Sequence, residues 1–278
     1  MPKLQLSFHT TFAFKREDIL KITQAAAEEK GLGDTLEGLM DRTGLGNKKV
    51  MPMKSWASRA GLITANVLSP EGRIIIEKDP LLESSLTNWL MHFYLSFGDK
   101  GLQTSPEDPS EWGGWTYFIY KFLPQYRIFS SNDLVHTSAL VFEQETTKNL
   151  TKNFKFVLRA YTEEQALANC KFLIQEDDQY IAAHPRLPNP YLVGYFFAKL
   201  WERDFQDAKS ALTETILTNP MGLAPVLGIS SLAATQEQLN ALEAHGIIEQ
   251  RRAVPPFQVI PRWDNPLSLL EKAYDRDR

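Results

Sequence analysis

The chain has little of what metal and disulfide chemistry need. Of its 278 residues one is cysteine, Cys170, and five are histidine: His9, His92, His136, His184 and His245. A single thiol forms no intrachain disulfide and no cysteine-rich zinc site, and it reads as a buried small residue. The histidines are scattered, with no i, i+4 pair to set two imidazoles on one helix face, so zinc hydrolysis is not expected. No G-x-S-x-G nucleophile elbow occurs. No apolar run approaches the roughly 20 residues that cross a bilayer, and no apolar stretch with a cleavage site opens the chain, so a cytoplasmic protein without a membrane partner is expected. Positive charge is not in excess either. The net charge is -4 and the isoelectric point about 5.8. That excludes a general coat for nucleic acid but leaves room for a local basic patch.

What is present is an ordinary globular composition, 43% hydrophobic and 23% charged, in a chain long enough for two domains or one large one. Spacing predicts a helix over 18–30, with Ile19, Ile22 and Ala26 on one face and Gly31 as its stop. Asp34 and Glu37 suggest the start of a short second helix ending near Gly44. A third, ending at Ala60, puts Val50, Met53, Ala57 and Ala60 on one face and Lys48, Ser55, Ser58 and Arg59 opposite. Pro52 argues for a start one turn later than that pattern. Residues 63–67 and 73–77 read as strands joined by Ser69-Pro70-Glu71-Gly72. Asp79 and Pro80 then open a long apolar helix through Leu82, Leu86, Trp89, Leu90, Phe93 and Phe97. Helices follow over 115–122, over 133–145 with Asn132 as cap, and over 149–161. Thr162 with Gln165 suggests one more. The proline-rich segment ending at Pro190 reads as a linker. Beyond it come helices over 191–203, 208–217 and 235–244, then strands over 247–250 and 257–260.

Charge singles out one stretch. Between Arg42 and Pro70 there is no acidic residue, and there are five basic ones, Arg42, Lys48, Lys49, Lys54 and Arg59. A basic, polar helix followed by a hairpin is the arrangement by which a winged helix meets DNA. Lysine and arginine neutralise phosphates, while serine and asparagine donate to phosphates or base edges. The candidate DNA-binding residues are Asn47, Lys48, Lys49, Lys54, Ser55, Ser58, Arg59 and Arg73. A solvated basic face on a protein-binding winged helix is the plainer alternative. In the C-terminal unit Arg251 and Arg252 sit in the second wing, but Glu237 and Glu243 on its third helix favour protein over DNA. Gly44-Leu45-Gly46-Asn47-Lys48-Lys49 lacks the spacing of a phosphate-binding loop, and its glycines read as a helix stop and a turn. Glu176, Asp177 and Asp178, with Glu163 and Glu164 nearby in sequence, could hold Mg²⁺, but they read better as a loop and a helix start.

Three segments carry a resemblance to a known family. SFHTTF (7–12) is similar to a G-H-E-T-F motif. GLGNKKVMPMKSWASRAGLI (44–63) is similar to G-x-G-x-x-x-V followed by W-x-x-x-x-G-L-I. KNLTKNFKFVLRAY (148–161) is similar to L-x-x-D-x-x-x-F-L-R-x-Y. Together they resemble the SspB-like family of prokaryotic proteins found in DNA phosphorothioation defence operons. The matched positions are His9, Gly44, Gly46, Val50, Trp56, Arg159 and Tyr161. Two carboxylates of the pattern are replaced, by Thr11 and Asn153. The resemblance implies a DNA-directed role in anti-phage defence, Mg²⁺-dependent nicking of DNA, and work alongside a cysteine desulfurase, an ATPase and a sulfur-transfer enzyme.

The expected protein is therefore mostly α, with two winged-helix-like regions carrying small β-hairpins. Residues 1–98 form the DNA-binding region, 99–183 a helical middle and 184–278 the second winged-helix-like region. The expected function is that of a DNA-binding component of a phosphorothioation-linked defence module, with Mg²⁺-dependent nicking implied by the family. The alternative is a non-catalytic adaptor that docks an ATPase or sulfur-transfer partner on double-stranded DNA, and a transcriptional regulator ranks third. Neither catalytic nor metal-binding residues can be assigned from the sequence.

Overall fold

The computed structural model describes residues 1–6, 12–182 and 187–276. His9, Thr11 and His184 lie outside them. The chain is mostly helical with small antiparallel sheets. Helix α1 (Arg16–Ala27) buries Ile19, Ile22 and Ala26 as their spacing requires. Helix α2 (Leu36–Thr43) is capped by the Thr35 hydroxyl, which accepts from the Gly38 amide, and ends at Gly44, whose φ of 65° suits glycine. Arg42 ties these helices together. It donates to Glu28 at 2.8 Å and to the carbonyls of Gly31 and Ala25 at 2.8 and 2.7 Å.

Helix α3 (Asn47–Arg59) buries Val50, Met53, Trp56 and Ala57. It starts at Asn47, so Pro52 lies inside it rather than in the first turn. The missing N–H removes one rung, to the Lys48 carbonyl, close to an end where Lys48 is exposed to water. Two short strands follow, β1 (Ile63–Thr64) and β2 (Val67–Leu68), with Ile63 opposite Leu68 across a turn at Ala65 and Asn66. The hairpin expected over 63–77 is thus replaced by a much smaller one, and its second half is a helix, α4 (Pro70–Lys78). Ser-Pro-x-Gly suits a helix start as well as a turn. The Ser69 hydroxyl accepts from the Gly72 amide and Pro70 takes the first helical position. Packing decides between them: Ile75 is fully buried, and a Cβ on Gly72 would lie 2.0 Å from the Leu62 carbonyl oxygen.

Helix α5 (Ser85–Leu95) is the apolar core helix. Ser84 is its N-cap, not Asp79, although the Asp79 carboxylate accepts from the amides of Glu83 and Ser84 just before it. After it, α6 (Gly114–Tyr117) runs into a wider π turn at Phe118–Phe122. Strand β3 (Ile128–Ser130) leads into α7 (Ser131–Ala139), capped by a reciprocal pair of Ser130 and Asp133 rather than by Asn132. Helix α8 (Thr147–Thr162) matches the expected one. No helix starts at Thr162. The chain there turns into β4 (Ile174–Glu176) and β5 (Gln179–Ile181), which pair with β3 in the order β3-β5-β4. The expected helical middle therefore also contains a sheet. Its strands are three residues long, too short to show an alternation of their own.

Helix α9 (Pro190–Asp204) opens the C-terminal part. The helix expected over 208–217 is instead strand β6 (Ala211–Leu212) followed by α10 (Thr213–Thr218). Then come α11 (Leu223–Val226), α12 (Leu232–Ala244), β7 (Ile248–Arg251), β8 (Gln258–Pro261) and α13 (Pro266–Asp275). The strands pair antiparallel in the order β6-β8-β7. Helix α13 packs on α9 and α4 and so joins the C-terminal part to the N-terminal part. Lys78 pairs with Asp275 at 3.1 Å, and the Tyr274 hydroxyl lies 2.7 Å from that of Thr87. No helix among the described residues is long and apolar enough to cross a membrane.

The core holds a row of polar groups, each with a partner. His92 is fully buried on α5. Its Nε2 lies 2.8 Å from the Val226 carbonyl, which can only accept, so Nε2 carries the proton. Nδ1 then accepts from the Tyr161 hydroxyl at 2.8 Å, and that oxygen accepts from Trp115 Nε1 at 3.1 Å. Burial lowers the His92 pKa from 6.5 to about 4. The folded chain then binds this proton less readily than the unfolded one, so the stabilisation is complete above pH 6.5 and is lost as the pH falls toward 4. The loss attributable to His92 amounts to about 3 kcal/mol across that window. Urea unfolding at pH 7.5 and 4.5 checks it: His92→Gln should be destabilised at pH 7.5 but show a smaller further loss at pH 4.5 than the wild type. Equal losses in the two proteins would remove His92 as the cause.

Candidate nucleic-acid interface

Helix α3 presents its polar side to solvent because its other side carries Val50, Met53, Trp56 and Ala57, all with no more than traces of exposure. Trp56 anchors the helix. Its ring meets Phe14 and Trp115 edge-on at 5.3 and 5.6 Å, and its indole N–H donates to the Phe12 carbonyl at 3.1 Å. The motif residues Val50, Trp56 and Tyr161 are therefore core. Gly44 is the helix stop, and Gly46 is the residue before α3, with nothing near the position of a Cβ.

Opposite this anchor is a groove of about 390 Å³. Met51, Pro52, Lys54, Ser55, Ser58 and Arg59 line it from α3, and Ala65 lines it from the tip of the β1–β2 hairpin. Four of the eight sequence candidates thus meet in one place. Lys54 Nζ donates to the Asn66 side-chain oxygen at 2.6 Å, which ties the hairpin tip to the helix. Arg59 pairs with Asp99 and donates to the Ser55 hydroxyl. Asn47 and Lys48 are exposed at the start of α3. Lys49 takes a different course. Its ammonium binds Asp18 Oδ2 at 2.8 Å, and the Asp18 side chain is only 9% exposed, so this lysine holds α1 to α3. Arg73 is exposed on α4, not on a wing strand as expected.

The second candidate surface is electrically closed. Arg252 pairs with Glu243 at 2.7 Å and with Asn240 at 2.9 Å, and Arg251 pairs with Glu249 at 3.2 Å. Arg262 also binds Glu249, and these two arginines hold the Glu249 carboxyl below the usual range, Arg262 having the larger part. These arginines therefore present little free positive charge.

The acidic residues do not assemble. Asp177 and Asp178 form the turn between β4 and β5, Asp177 with a φ of 51°, and Glu163 pairs with Arg159 on α8. Asn153, where the family pattern has aspartate, donates to the carbonyl and side-chain oxygen of Asn149, both at 2.8 Å. Among the described residues no three of His, Cys, Asp and Glu come close enough to hold a metal ion. Cys170 is buried and bonded to the Leu167 carbonyl, and burial pushes its pKa up to about 12, so it is no nucleophile.

One polar cluster escaped the sequence reading. Glu71, 8% exposed at the start of α4, accepts from the hydroxyls of Tyr94 at 2.9 Å and Tyr195 at 2.7 Å. The two hydroxyls are 2.6 Å apart. The Tyr94 ring also covers Gly61, where a Cβ would lie 2.3 Å from it. Read as part of a turn, Glu71 gave no hint of burial. Once Ser69-Pro70 is recognised as a helix start, Glu71 falls on the same face as Ile75.

Comparison with known proteins places this architecture. A crystal structure of magnesium ion-bound SspB aligns with a TM-score of 0.73 at 15% identity, covering 98% of this chain and 89% of that one. A second SspB crystal structure aligns at 0.71 with 16% identity over the same shares. At this identity the likeness is one of fold. No curated protein matches the sequence. A family model described as "Protein of unknown function (DUF4007)" matches residues 6–183. The matched span covers more than half of the sequence, and the chain belongs to the DUF4007 family.

Proposed function

We propose that this protein is the DNA-binding component of a phosphorothioation-linked anti-phage defence module. The observation that carries the reading is the SspB fold, which extends over 98% of the chain. The groove between α3 and the β1–β2 hairpin supplies the contact: Lys54, Ser55 and Ser58 within it, with Asn47, Lys48 and Arg73 flanking it, would position double-stranded DNA through its phosphates, while Arg59 is held by Asp99. The C-terminal elements favour a winged-helix reading. Strand β6 precedes α10 to α12, and β7 and β8 follow as a hairpin, with β8 between β6 and β7. Because its arginines are paired with glutamates, this unit is read as a protein-binding winged helix. That gives an ATPase or sulfur-transfer partner a place to dock while the N-terminal region holds DNA. The cytoplasm, where DNA and such partners meet, is the compartment that fits.

Metal-dependent nicking is the second reading, favoured by the magnesium ion bound to the SspB neighbour. The described residues offer no cluster of ligands for it, so binding without cutting is the stronger reading.

Two measurements test these readings. Fluorescence anisotropy on duplex DNA across a salt series should show Lys48→Ala/Lys54→Ala/Arg73→Ala weakening the affinity and flattening the log–log salt slope by about 2–3, close to 0.9 for each lost phosphate contact. An unaltered slope would remove this surface as the DNA site. Supercoiled plasmid incubated with the chain and Mg²⁺ should stay supercoiled. Relaxed circles with Mg²⁺ and none with EDTA would establish nicking instead.

A further inference from the structure

The C-terminal part carries a second groove, of about 510 Å³, which is within the size range of sites that seat a ligand or the anchor residues of a peptide. Its walls come from β6, α10, the first turns of α12 and the loop before β8. Leu212, Leu232 and Phe257 line it and are 43%, 59% and 45% exposed, and Leu217, Pro255 and Pro256 complete the apolar surface. Three large apolar side chains left in water around one concavity are the mark of a docking site, where scattered single ones would mean nothing. Charge narrows the occupant. No lysine or arginine lines the groove, whereas Glu214 does. Glu214 is exposed and has no ion-pair partner among the described residues, and Glu237, next to the lining residue Gln236, is in the same condition. The one charged side chain in the lining is negative, which disfavours phosphate and therefore nucleic acid. An apolar peptide segment bearing lysine or arginine would fill the groove and pair with these carboxylates.

We infer that this groove is a docking site for a partner protein, which inserts an apolar helix or peptide flanked by basic side chains. The inference is independent of the DNA reading, because no groove residue belongs to the α3 surface. It also gives the adaptor role a physical seat.

Two synthetic 16-residue amphipathic peptides test it, both with leucine at i, i+4, i+7 and i+11, one flanked by lysine and one by glutamate. Anisotropy with the full chain should show the lysine peptide binding at least about tenfold more tightly than the glutamate peptide. Leu232→Glu should weaken it at least about tenfold, and Glu214→Lys should reverse the preference between the peptides. Leu232 and Glu214 are both exposed, so these variants should fold, which circular dichroism verifies. Both variants should bind duplex DNA as the wild type does, which separates failure here from failure of the DNA reading. The inference is overturned if neither peptide binds, if both bind equally, or if Leu232→Glu leaves binding intact. It is also overturned if sedimentation shows a wild-type dimer that Leu232→Glu dissociates, because a second copy of the chain would then be the occupant.

Discussion

The structure depends on an aromatic seam that must keep its polar atoms satisfied. Trp56 on α3 leans on Trp115, Trp115 donates to the Tyr161 hydroxyl, and Tyr161 donates to His92, which donates to the Val226 carbonyl. Four residues from separate parts of the chain, Trp115, Tyr161, His92 and Val226, thus share one chain of donors and acceptors in the buried core. An unmade bond in such a site costs about 1–3 kcal/mol, so the elements that supply these groups hold one arrangement together. Two of the motif segments, those of Trp56 and Tyr161, meet in this seam, so both help to build the scaffold.

That scaffold accounts for the exposed side of α3. With Val50, Met53 and Trp56 held inside, the polar residues of the same helix have only solvent to face, and the hairpin tip at Ala65 and Asn66 closes one side of the groove. The Glu71–Tyr94–Tyr195 cluster makes a second connection, from the start of α4 through α5 to α9. Burial raises both tyrosine pKa values well above the usual range, so the hydroxyls remain protonated donors to the carboxylate. The N-terminal groove and the C-terminal groove differ in character, the first lined by Lys54 and Arg59 and the second apolar with Glu214 in its lining.

Where side-chain periodicity extended over several turns, it was sufficient to locate the element. Helices α1, α3 and α8 follow from the spacing of residues such as Ile19, Val50 and Phe154, all buried as that spacing requires, α9 follows from its apolar run, and α12 from its bounding residues. The β7–β8 hairpin was also legible. Short elements were not. Strands β3, β4 and β5 have too few residues to establish a period, and Ser69-Pro70-Glu71-Gly72 suits a turn and a helix start alike. The run Arg73-Ile74-Ile75-Ile76-Glu77 favours a strand by β-branching, but packing of Ile75 and the close approach of Gly72 to Leu62 override that preference.

The candidate interface divides in the same way. The absence of acidic residues around α3 and the separation of its two faces are properties of the sequence alone, because charge composition and a period of 3.6 need no partner to be read. Which cations remain available is not. Lys49 is drawn to Asp18 and Arg59 to Asp99, each far away in sequence, and the hairpin and α12 bring Arg252 to Glu243. The apolar groove is likewise tertiary, since Leu212, Leu232 and Phe257 come from three separate elements. A sequence lists charges and apolar groups one by one, but whether each is neutralised, buried or left facing water depends on neighbours that only the folded chain brings within a few ångströms.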